Sequence, residues 1–114
     1  MVVGLYSNEF IPINTYIDRV HPVISPLNIS TAVALSNPLL HYDLTMITGI
    51  TDVRYFITEF ATPKYLIEIC VNFEIEKIIM ISGIEATSNH TVEIDKLIRN
   101  ICKDLYIDII EIVI

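Results

Sequence analysis

The residues best suited to chemistry are Asp43, Asp52 and Arg54, all within the segment DLTMITGITDVRYFITEF from Asp43 to Phe60. Two carboxylates and a guanidinium converging in one pocket could divide acid and base roles, each shifting the other's pKa. The same spacing fits a solvated loop acid at Asp43 and an acid in the first turn of a helix at Asp52. Other chemistry is sparsely provided. Gly4, Gly49 and Gly83 are the only glycines, so no Gly-rich loop can cradle a phosphate. His21, His41 and His90 stand far apart, and neither Cys70 nor Cys102 lies near one of them in sequence. That is not the ligand spacing of a metal site. Ser82-Gly83 follows an apolar run, but Met80 stands where a nucleophile elbow needs glycine. The sequence predicts a binding protein with no catalytic set, no cofactor and no metal. If a surface there meets a partner, Arg54 and Tyr55 are the expected contacts, with Asp52 beside them.

The bulk numbers agree with binding. A chain of 114 residues makes one domain. Apolar residues are 53% and charged residues 18% of the sequence, too few polar groups to cover the surface. An exposed apolar patch follows, and such patches mark partner surfaces. The expected context is an obligate partner or a homo-oligomer. The formal charge is −7, and between Val20 and Pro63 Arg54 is the only basic side chain besides histidine. Autonomous nucleic-acid binders carry a basic footprint, so free RNA or DNA binding is not expected. No apolar run approaches the ~18–20 residues that span a bilayer. The start MVVGLYSNEF has no basic region and no small-residue cleavage site. A cytoplasmic protein with two reduced, buried cysteines is the expectation.

The elements that must position these groups read as a mixture. Met1–Tyr6 predicts a strand, with a turn at Ser7-Asn8-Glu9 and a return through Phe10–Ile13. His21–Ile24 reads as extended between Pro22 and Pro26. Ser25-Pro26 resembles an N-cap with Pro at the first helical position, so Leu27–Ser36 reads as helix. Leu39–Thr48 fits strand or helix, closed by Gly49. Thr51 then caps an amphipathic helix over Asp52–Phe60, with Val53, Phe56, Ile57 and Phe60 on one face. Tyr65–Val71 reads as strand and Asn72–Ile81 as helix, with a rival strand at Lys77–Ile81. Thr91–Ile94 reads as strand and Asp95–Leu105 as helix, with Leu97, Ile98, Ile101 and Leu105 aligned. The tail Tyr106–Ile114 fits an edge strand or a helix end. The predicted architecture is one small α/β (α+β) domain over residues 1–114, a mixed sheet flanked by helices.

From Val20 to Leu105 the order of these elements resembles the TPRKB-like family, the small kinase-binding accessory subunit of the KEOPS complex. The matching signals are the extended Val23-Ile24-Ser25, an alanine-bearing helix with Ala32 and Ala34, Asp43-Leu44 closing on Thr48-Gly49, the stretch Thr48–Val53 followed by Phe56-Ile57, the strand Tyr65–Val71, the helix after Asn72, and the segment Val92–Leu105. Asp52 stands where the family usually has glutamine, and Phe56 where it has alanine. The resemblance implies a subunit that docks on the kinase-like ATPase subunit and supports threonylcarbamoyl modification of tRNA. Contact with tRNA would be indirect, within the complex, because the lysines that neutralise phosphates are missing. The competing expectation is a different interaction protein, such as a proteasome-assembly-chaperone-like α/β domain. Secondary structure at Lys77–Ile81 separates the two: a helix suits the KEOPS family, a central strand the alternative.

Overall fold

The computed structural model describes residues 1–7, 11–35, 45, 48–56, 62–82 and 89–114, with side chains from residue 93 in the last segment. Among the described residues five strands form one sheet: β1 (Val2–Ser7), β2 (Thr31–Ala34), β3 (Asp52–Tyr55), β4 (Lys77–Ser82) and β5 (Asp108–Val113). Their order is β3-β2-β1-β4-β5, and every neighbouring pair is parallel. The α/β class is the one expected, but the sheet of the described residues is parallel throughout and not mixed. A parallel sheet covered on both faces is built from near-continuous apolar runs. VVGLYS in β1 and KIIMIS in β4 are such runs, and they are neighbours at the centre.

Each connection between parallel strands must cross a face of the sheet. The first crossover is helical: α1 (Ile13–Thr15), a wider π-helical stretch (Tyr16–Val20) and α2 (His21–Ile24). Tyr16, Val20 and Ile24 recur every four residues and pack with Val3, Leu5, Ala32, Ala34, Ile79 and Ile81. The opposite face carries α3 (Pro63–Asn72) and α4 (Asn89–Leu105). There Leu66, Ile69 and Cys70 of α3 and Ile98, Ile101 and Cys102 of α4 pack with Tyr6, Val33, Ile78 and Met80. Helices on opposite faces, with the strand order running outward both ways from β1 and β4, make a doubly wound sheet.

Several local expectations fail for identifiable reasons. Of the expected return Phe10–Ile13, Phe10 lies outside the described residues, Ile11 and Pro12 are not strand, and Ile13 begins the helical crossover. His21–Ile24 is helical despite Pro22, because the buried stripe of Tyr16, Val20 and Ile24 outweighs the local proline preference. The π-helical widening falls immediately before that proline, where the regular hydrogen-bond ladder is interrupted. Within Leu27–Ser36, residues Thr31–Ala34 are β2 and not helix. Ala32, Val33 and Ala34 are fully buried between two covered faces, a setting that accepts small side chains irrespective of helix propensity. Tyr65–Val71 belongs to a helix, not a strand. Thr62 caps it, accepting a hydrogen bond from the Tyr65 amide at 3.2 Å, and Pro63 fills the first turn. Lys77–Ile81 is the rival strand and not part of a helix from Asn72. Thr91–Ile94 is the start of α4, not a strand.

Other expectations stand. The first strand is present, over Val2–Ser7, so that Ser7 extends it and does not begin the expected turn, and Ile98 and Ile101 of the predicted helical face are buried. The tail is an outer strand, β5. Gly49 follows the helical residue Thr48: its amide donates to the Thr45 carbonyl at 3.0 Å, and its φ of +73° is the left-handed conformation that favours glycine.

Candidate functional site

Asp52, Arg54 and Tyr55 lie on β3, an outer strand of the sheet, and not on a helix. The amphipathic reading of this segment gives way because pairing with β2 takes up residues 52–55; Ile57–Phe60 lie outside the described residues. Alternation along a strand puts Asp52 and Arg54 on one face and Tyr55 on the other. Asp52 accepts from the Thr31 hydroxyl at 2.9 Å and from Arg54 Nε at 3.0 Å. The structure therefore brings Asp52 and Arg54 together, as an ion pair, and separates Tyr55 from them. Asp43 lies outside the described residues.

The Thr31 hydroxyl, and then Arg54, hold the Asp52 carboxyl below the usual carboxylate range. A carboxyl whose pKa is lowered on folding stabilises the folded state above its unfolded value of about 3.9 and loses that contribution as pH falls through its folded value. Asp52→Asn should accordingly lower the urea midpoint at neutral pH. The gap from the parent protein should close as the pH drops below about 4. Urea titrations of both proteins across that range check the sign. Both side chains are half exposed, so the effect is small.

A second arrangement escaped sequence reading. Tyr6 on β1 donates its hydroxyl to Asp95 on α4, and burial, then that contact, pushes the phenol pKa well above its ordinary value. The other carboxylate oxygen of Asp95 is buried without a partner. One turn further along α4, Arg99 pairs with Glu111 on β5. Two polar pairs thus stand on α4, one toward the centre of the sheet and one toward its β5 edge. Its sequence signal is an acid inside an apolar stripe: Asp95 shares the helical line of Ile98 and Cys102.

In doubly wound sheets ligands bind outside the carboxyl ends of the strands, where the strand order reverses. Here that point lies between β1 and β4, which end at Ser7 and Ser82. The sequence that follows β1, Asn8-Glu9-Phe10, contains no glycine of the kind a phosphate-cradling loop uses; these three residues lie outside the described ones. A cavity of about 340 Å³ lies at the other end of the sheet, beside Ile29, Ser30, Gly49 and Thr51. Among the described residues no group of three or more His, Cys, Asp or Glu is placed to hold a metal. Cys70 and Cys102 are free thiols buried on one face of the sheet. Burial, then the neighbouring Cys70, pushes the Cys102 thiol up to about 12. Among the described residues no helix is long and apolar enough to cross a membrane.

Fold and site together define a small, doubly wound, parallel α/β domain. Comparison with family models, curated proteins and solved structures finds no match.

Proposed function

We propose that the chain is a non-catalytic protein-interaction domain. The observation that carries this reading is the apolar outer surface of the first crossover. Ile13 and Ile17, one turn apart, are 55% and 52% exposed. Large aliphatic side chains held in water at helical spacing suit a protein partner better than a polar small molecule. The net charge of −7 adds that any RNA contact is made beside a more basic partner.

Within this reading the resemblance supplies a specific candidate. The chain would be a KEOPS accessory subunit that docks on the kinase-like ATPase subunit and supports threonylcarbamoyl modification of tRNA in the cytoplasm. The strand at Lys77–Ser82 weighs toward the alternative, a different interaction protein such as a proteasome-assembly-chaperone-like domain. A pull-down with the purified kinase-like subunit separates the two. A stoichiometric complex at micromolar concentration, weakened at least tenfold by Ile17→Lys, would support the KEOPS role; the order of tenfold corresponds to losing one well-packed apolar anchor. No complex at micromolar concentration would remove the KEOPS role and leave the alternative.

A further inference from the structure

The two outer strands of the sheet are unlike. β3 is four residues long and carries the Asp52–Arg54 ion pair, a short charged edge of the kind that discourages strand addition. β5 is six residues long, reads DIIEIV, and contains no proline, lysine or glycine. Val113 at its end is 63% exposed. Among the described residues no strand lies beyond it. Such an edge is a template for another strand.

The hydrogen bonds of β5 fix which groups are offered. The Asp108 amide donates inward to the Glu76 carbonyl at 3.4 Å, and the Ile114 amide to the Ser82 carbonyl at 3.0 Å. Main-chain groups alternate direction along a strand. Ile110 and Ile112 therefore also face β4, while Ile109, Glu111 and Val113 turn their N–H and C=O groups to the open edge. A two-fold axis perpendicular to the sheet pairs residues in an antiparallel register centred on one residue. Centring on Glu111 would set Glu111 directly against its own copy, a like-charge pair. Centring on Ile110 sets Ile109 opposite Glu111, Asp108 opposite Ile112, and Ile110 opposite itself. No acid then faces an acid. The outward groups of Ile109 and Glu111 meet as hydrogen-bonded pairs, which the observed alternation requires. Ile110, half-buried in the monomer, gains an apolar neighbour.

We propose that β5 pairs antiparallel with β5 of a second copy of this chain, with Ile110 on the two-fold axis, joining two sheets into one. The inference is independent of the KEOPS role and uses a different surface from Ile13 and Ile17.

Sedimentation equilibrium and disulfide trapping test it on the full chain. The mass of 13.0 kDa should double with rising concentration. Ile110→Lys, which opposes two ammonium groups across the axis, should return it to the single-chain value with an unchanged circular dichroism spectrum. Ile110→Cys should cross-link in diamide, because a non-hydrogen-bonded antiparallel pair holds its Cα atoms about 4.5 Å apart, within disulfide range. Glu111→Cys should not, since its copies are offset along the strands beyond the roughly 7 Å limit. If Ile110→Lys fails to fold, the two cysteine variants decide. A single-chain mass at all concentrations overturns the proposal. So does cross-linking through Glu111→Cys with none through Ile110→Cys.

Discussion

Replacing Ile79 with alanine should lower the stability of the chain by about 2–5 kcal/mol, the range for truncating a large aliphatic side chain in a packed core. Ile79 is fully buried at the middle of β4, paired with Leu5 on one side and Ile110 on the other. On its face it packs within the cluster that holds Tyr16, Val20 and Ile24. The surrounding backbone is a parallel ladder on both sides and cannot collapse into the space. A domain of this size has about 5–15 kcal/mol in total, so the variant should be near the edge of folding. Urea denaturation followed by circular dichroism measures the loss. Ile110→Ala, at the half-buried edge, should cost distinctly less.

Gly4→Val is the second large effect, and it works by overfilling. Gly4 sits in the middle of β1, between Val33 and Ile78. A Cβ at this position would lie 3.0 Å from Ile78 Cγ1 and 3.1 Å from Leu35 Cδ1. Both neighbours are buried side chains of adjoining elements, with little room to turn away. Valine adds two methyl groups beyond that Cβ. The expected cost is about 1–3 kcal/mol, or more if the β1–β4 register is disturbed. Comparison of Gly4→Ala with Gly4→Val in the same denaturation series separates contact with the Cβ from the added bulk. A Gly4→Val protein as stable as the parent would mean that Leu35 and Ile78 are not packed over this position.

The α/β class was legible because apolar runs of two kinds are present: continuous ones at Val2–Ser7 and Lys77–Ser82, and a helical one at Ile98–Leu105. What the chain does between them was less legible, and the reason is burial on two sides. A parallel strand covered on both faces loses the alternation that marks an ordinary strand. Thr31–Ala34 could therefore be read as helix from its alanines. The reverse error at Tyr65–Val71 had a usable warning in Thr62-Pro63, an N-cap followed by proline in the first turn. Arg54 and Tyr55 were correctly expected at the surface, but for a helical reason that the strand replaces. The Tyr6–Asp95 contact needed the sheet order, because it joins residues far apart in sequence across β1 and α4.

Among the described residues the parallel sheet ends at β5, with no strand beyond it. Amide hydrogen exchange at single-residue resolution, in dilute protein, reads that edge directly. Ile110 and Ile112, bonded inward to β4, should exchange slowly, and Ile109, Glu111 and Val113 quickly. Raising the concentration should protect Ile109 and Glu111. Uniformly slow exchange from Ile109 to Val113 in dilute protein would mean that the β5 edge is already covered and not available to a second copy.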